Sequence, residues 1–207
     1  MFLHRITLFI LCLLIGGEIA MAQDTTKQTK TLGLCLSGGG ALGYAHIGAL
    51  QALEEAGIKP THIAANSMGS IVGVLYASGL TPKQMLEMIE NEKGYRVHSL
   101  IDINLRNFNG FMKHDKLRKV LDKYISYNHF DSLKIKFYVC CVDIRKAEVK
   151  IVGQGNYLKD YVIASSSIPL LYDYCVIEGV EYVDGGVKNN FPIEPLVEEK
   201  CDKIIGI

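Results

Sequence analysis

Gly38, Gly39 and Gly40 stand in a row between a short apolar run, TLGLCLS at 31–37, and a run of helical periodicity, YAHIGALQALEEAG at 44–57. Bare backbone at a strand-to-helix junction lets something approach the chain closely. The strand that ends there is apolar along its whole length, the mark of a strand covered on both faces. The alternation continues. THIAA at 61–65 reads as a second strand and MGSIVGVLYASG at 68–79 as a buried helix rich in small residues. Thr81-Pro82 supplies an N-cap and a first-turn proline for a helix carrying Met85, Leu86, Met88 and Ile89. Strand, helix, strand, helix predicts an α/β fold with a parallel sheet.

Residues 95–113 show no period and are expected to form a loop. Leu117, Val120, Leu121, Tyr124 and Ile125 then form the stripe of an amphipathic helix. KIKFYVCCVDI (134–144) and AEVKIVG (147–153) predict a hairpin across Arg145-Lys146. YLKDYVIASSS predicts a helix stopped by Ile168-Pro169. A second hairpin is expected at Glu178-Gly179, then a short helix in IEPLVEEK and a last strand in KIIGI. The chain ends on that strand with no polar tail, as a piece of a longer protein would.

Lys plus Arg equals Asp plus Glu at 22 each, with no block of like charge, so the chain has no footprint for nucleic acid. The N-terminus reads as a signal peptide over 1–22: MFLHR is basic, ITLFILCLLI is apolar but too short to span a membrane, and AMA precedes Gln23. Residues 23–30 follow as a polar tether, and 31–207 as one domain. The expectation is export, to the periplasm, the outer membrane or the medium. Past Cys12 the cysteines are 35, 140, 141, 175 and 201, without the paired spacing of a zinc site; buried apolar packing is expected of them.

Gly38, Gly40 and Gly43 satisfy G-x-G-x-x-G after a strand, the dinucleotide fingerprint. That fingerprint needs a carboxylate at the end of the second strand, where this chain runs AAN into Ser67, so no nucleotide cofactor is expected. ANSMGS instead sets a serine between strand and helix with small neighbours, the turn that presents a nucleophile; a helix cap is the alternative for Ser67. Strand ends of an α/β sheet converge, so the glycine loop should lie beside Ser67 and offer backbone N–H groups to an oxyanion. No histidine follows His129, where a Ser-acid-His order would need one. Asp184, followed by Gly185 and Gly186, can carry a carboxylate into a tight site or simply form a turn.

SGGGALGYAHIGAL, ANSMGS, ASSSIP and DGG, in this order, resemble the patatin-like phospholipase family over nearly everything after residue 31. The resemblance implies a three-layer α/β/α fold with a largely parallel central sheet, and lipid acyl-ester hydrolysis by a Ser67/Asp184 dyad. It also implies an oxyanion hole from Gly38, Gly39 and Gly40, motif support from Gly43, Gly69, Gly185 and Gly186, no metal and no cofactor. The implied partner is lipid at a membrane or micelle interface; some exported bacterial relatives carry a membrane barrel further on. Leu42 stands where the family often has Lys or Arg, and Ala65 where it often has Gly. These departures support the alternative, a catalytically inactive lipid-binding module. Export makes the first prediction: the mature N-terminus, read by sequencing, is Gln23, and an intact Met1 on cytoplasmic protein would refute it.

Overall fold

The computed structural model describes residues 30–91 and 114–207. The expected signal peptide, the tether apart from Lys30, and the expected loop at 95–113 lie outside the described residues. The elements are β1 (Leu32–Leu36), α1 (Ala45–Glu55), β2 (His62–Asn66), α2 (Ser67–Ser78), α3 (Pro82–Asn91) and α4 (Asp115–Tyr124). They continue with β3 (Lys136–Asp143), β4 (Glu148–Val152), α5 (Leu158–Ser165), β5 (Cys175–Ile177), β6 (Val180–Asp184), α6 (Glu194–Glu198) and β7 (Lys203–Gly206).

Local chemistry sets their ends. Thr81 and Gln84 form a capping box at α3: the Gln84 N–H donates to Thr81 Oγ1 at 3.2 Å, and the Thr81 N–H to Gln84 Oε1 at 2.8 Å. The β5–β6 hairpin turns on two left-handed residues, Glu178 (φ 50) and Gly179 (φ 79), which match the twist of the strands. In the β3–β4 turn, Asp143 Oδ1 accepts the N–H groups of Arg145 and Lys146 at 3.0 and 3.1 Å.

The sheet runs in the order β5-β6-β3-β2-β1-β7, with β4 also on β3. β7, β1, β2 and β3 are parallel, as expected, while both hairpins add antiparallel strands, so the sheet as a whole is mixed. One feature of the register positions the site. Cys140 pairs with both Asn66 of β2 and Ile151 of β4, and Cys141 with both Asp184 of β6 and Lys150 of β4. β2 and β6 therefore occupy the same edge of β3, opposite β4. They run toward each other and meet end to end, Asn66 against Asp184.

Alternation along the strands divides the core. Leu34, Leu36, Ile63, Ala65, Phe137 and Val139 face the helical layer of α1, α2 and α5. Cys35 and Ala64 face Leu196 of α6 on the other side, so the sheet lies between helices in three layers. α2 is buried almost all round, from Ser67 to Ala77. Its small residues allow this: a Cβ on Gly69 would stand 2.5 Å from the carbonyl oxygens of Leu36 and Ser37. α1 is half exposed, and a Cβ on its Gly48 would meet nothing within 4 Å. Among the described residues no helix is long and apolar enough to cross a membrane. Thermal melts should separate the two glycines: Gly69→Ala overpacks backbone and lowers stability by about 1–3 kcal/mol, whereas Gly48→Ala raises it by about 0.5–1 kcal/mol. Equal effects at the two positions would refute this account of the packing.

Candidate active site

β2 stays extended through Asn66 (φ −132, ψ 148), and the chain then reverses at Ser67, which is left-handed with φ 50. A non-glycine residue in that region costs about 1–3 kcal/mol and persists only where its surroundings fix it. Here they do. The Ser67 N–H donates to Ser165 Oγ at 2.9 Å, and Ser70 Oγ donates to the Ser67 carbonyl at 2.6 Å. Ala65 is fully buried and remains in the strand. The left-handed residue is Ser67, so a glycine at 65 is not required by the turn. Nor is Ser67 the helix cap: Asn66 holds that position, and no side chain caps the helix there.

Asp184 ends β6 where β2 ends, and both site residues are nearly buried, Ser67 at 6% and Asp184 at 5% exposure. The Ser67 side chain lies beside the Asp184 carboxylate and acts on it in the direction of a donor, lowering its pKa. Asp184 Oδ1 also accepts from the Gly186 N–H at 2.7 Å and from Asn66 Nδ2 at 3.2 Å. The Asp-Gly-Gly segment is thus a turn as well, with its own carboxylate as cap. Burial pushes the carboxyl above its ordinary 3.8, against the neighbouring donors of Ser67, Gly186 and Asn66 that hold it down. Gly185 has no room for a side chain, which would run into Asn66 Oδ1 and Cys140.

The glycine loop closes the site from β1. A Cβ on Gly38 would collide with the Asn190 amide and stand 2.9 Å from Ser67 Cβ, and one on Gly43 would enter Met68. Gly40 is left-handed, φ 52, and opens a 3₁₀ turn, Gly40–Tyr44. Among the described residues the N–H groups of Gly39 and Gly40 have no acceptor. The Gly38 N–H differs from expectation: it donates to the Asn190 carbonyl at 3.3 Å, so Gly38 contributes space and not a donor. Asn66, Ser165 and Asn190 were not picked out from the sequence. The signal available was a buried Asn at the end of an apolar strand.

The described histidines are engaged elsewhere. His46 Nε2 meets the Ser37 carbonyl at 2.9 Å, His62 Nδ1 meets Thr61 Oγ1, His129 meets Ser132, and His114 Nε2 meets the Asp173 carbonyl and Ser167 Oγ. An apolar cavity of about 40 Å³ is lined by Met68, the residue after Ser67, and by Tyr44, Ile47, Val72, Met85 and Leu117 among others. A larger cleft of about 870 Å³ runs along β3 and β4 past Lys136, Tyr138 and Glu199, and contains neither Ser67 nor Asp184. Cys35, Cys140 and Cys141 are buried thiols pushed upward by burial, as their apolar reading expects.

The raised Asp184 has a consequence for stability. The folded state binds this proton more tightly than the unfolded chain, so its contribution is present at low pH and is lost as pH rises from about 3.8 through the folded value. At pH 7 the buried carboxylate is a net cost. Asp184→Asn should therefore melt above the parent at pH 7, with the gap closing as pH falls through the carboxylate range. A lower melting temperature at pH 7 would contradict the direction of the shift.

The sequence profile of the patatin-like phospholipase family matches residues 34–197. Lysophospholipase NTE1 of Coccidioides immitis is 31% identical over 182 residues, 86% of this chain and 11% of that protein. Lysophospholipase NTE1 of Cryptococcus neoformans var. neoformans is 34% identical over 182 residues, with the same coverage. The chain thus spans about a ninth of the length of these fungal relatives. The crystal structure of VipD from Legionella pneumophila superposes with a TM-score of 0.53 at 18% identity, covering 86% of this chain and 49% of that one, a likeness of fold. With a profile match over most of its length and a third of the aligned residues identical to a curated relative, the chain belongs to the patatin-like phospholipase family.

Proposed function

We propose that this chain is an exported bacterial lipid acyl hydrolase that cleaves carboxylic esters of phospholipids or lysophospholipids through a covalent acyl-enzyme. The carrying observation is the left-handed Ser67 set beside the buried Asp184 carboxylate at the meeting of β2 and β6. Ser67 Oγ attacks the ester carbonyl carbon while its proton passes to Asp184, whose raised pKa suits a base. The oxyanion is received by the free N–H groups of Gly39 and Gly40 and by the N-terminal end of α2. Collapse expels the alcohol, which takes the proton from Asp184. Water then attacks the acyl-enzyme, gives its proton to Asp184, and the released fatty acid leaves Ser67 reprotonated.

The apolar cavity beside Met68 suits an acyl chain, and its methionines can shift to admit one. Leu42, 82% exposed on the turn after the glycines, suits a mouth that opens onto lipid. The NTE1 relatives bear the name lysophospholipase, which favours lysophospholipid within the substrate class. Export rests on the N-terminal sequence pattern alone.

A fluorophosphonate serine probe should label the parent and not Ser67→Ala. Asp184→Asn should lower fatty-acid release by about a thousandfold or more with the fold intact. Release from lipid in mixed micelles should exceed cleavage of short soluble esters. A folded parent that takes no label would overturn the hydrolase reading in favour of a lipid-binding module.

A further inference from the structure

Three successive peptide groups lead into the glycine loop, and each is held. The Ser37 carbonyl points to His46 Nε2, 2.9 Å away, so across a trans peptide the Gly38 N–H points the other way, onto the Asn190 carbonyl at 3.3 Å. The Gly38 carbonyl accepts from Asn190 Nδ2 at 3.1 Å, which turns the Gly39 N–H away from Asn190. The Gly39 carbonyl accepts from the Leu42 N–H at 3.1 Å, which turns the Gly40 N–H out of the 3₁₀ turn. Of the two peptides that carry the Gly39 and Gly40 N–H groups, the first is held by a side-chain amide, that of Asn190, and the second by backbone. That amide is fixed at both ends, because Asn190 Oδ1 accepts from Asn66 Nδ2 at 3.1 Å, and the same Nδ2 reaches Asp184 Oδ1 at 3.2 Å. Exchanging the amide's oxygen and nitrogen would break both bonds. The collision that any side chain at Gly38 would have with Asn190 Oδ1 shows what the first glycine makes room for.

We infer that Asn190 is a positioning residue: it aims the Gly39 N–H at the oxyanion and ties that donor, through Asn66, to the carboxylate that takes the serine proton. The inference rests on the hydrolase reading and adds to it a residue that touches neither substrate nor the reacting atoms. Its side chain is largely exposed, so its loss should leave the fold nearly unchanged.

The test uses the full chain with Asn190→Ala, Asn190→Asp and Ser67→Ala, measuring kcat and KM on phospholipid and lysophospholipid in mixed micelles across pH, with melting temperatures. Asn190→Asp keeps the acceptor for Asn66 and, when ionised, loses only the donor to Gly38. Both Asn190 variants should lose kcat by about 10- to 100-fold, less than the 10²–10³ of removing an oxyanion donor outright, with KM little changed. In Asn190→Asp the acid limb of the kcat profile should also move upward, since a second carboxylate one amide away from Asp184 disfavours its ionisation. If Asn190→Ala does not fold, Asn190→Asp decides. A folded Asn190 variant with kcat within about twofold of the parent, while Ser67→Ala is dead, overturns the Asn190 assignment alone; an active Ser67→Ala overturns the hydrolase reading and this inference with it.

Discussion

Two strands share one edge of β3 and run head-on into each other, and the rest of the site depends on that collision. β2 must leave the sheet at Asn66 because β6 occupies the next position along β3, and β6 must leave at Asp184 for the same reason. Neither chain can continue straight, so each reverses within a residue. The first reversal makes Ser67 left-handed at the start of a buried helix. The second leaves Asp184 as the last strand residue, with glycines behind it where a side chain would strike Asn66 and Cys140. The serine and the carboxylate meet because the two strands end against consecutive residues of β3, Cys140 and Cys141.

That arrangement is expensive locally. A left-handed serine and a buried carboxylate are each unfavourable, and the second is visible in the raised pKa of Asp184. The compensation comes from a shared set of hydrogen bonds and from α2, whose burial on the sheet requires the small residues at 69 and 73. Ser165 Oγ takes the Ser67 N–H and also donates to Asn66 Oδ1 at 3.3 Å. One amide, Asn66, thereby orders the serine turn, the acid and Asn190. Stability given up at Ser67 and Asp184 is recovered in the surrounding layers.

Much of this was legible in the sequence, because it is written in short-range patterns. The helices of 45–55 and 67–78, the capped α3 and both hairpins follow from periodicity, caps and turn residues within a few positions of each other. The stripe 117–125 was read correctly as a buried face, although Ile125 lies just past the end of α4 while still fully buried. The turns at Ser67 and Asp184 were visible in their small neighbours, and the family resemblance singled the two residues out as a candidate pair. What was not visible acts across the chain: Asn66 to Asn190 spans 124 positions and Ser165 to Asn66 spans 99. No local pattern distinguishes a polar side chain that reaches another segment from one that faces water. The glycine loop shows the same limit. Its need for bare backbone was plain, but that Gly38 spends its N–H on Asn190 depends on where a distant loop returns. Ala65 looked like a flaw in the serine turn only because the position of the left-handed residue is a property of the reversal and not of the motif.

The network also bears on how a carboxylate can deprotonate a serine. In the proposed reaction the site carries one negative charge throughout, first on Asp184 and then on the oxyanion. Burial disfavours that charge on Asp184 and favours the neutral carboxyl that forms when the proton arrives. The oxyanion end has the opposite character, with N–H groups of Gly39 and Gly40 that lack acceptors among the described residues and the N-terminus of α2 alongside. The charge therefore leaves the place where the fold tolerates it least and arrives where donors already point at it. No positive partner for Asp184 is needed, and one would oppose the step by stabilising the carboxylate in the ground state. The neutral amide of Asn66 suits this position: it orients the carboxylate with a single hydrogen bond and holds it less strongly than a charged donor would.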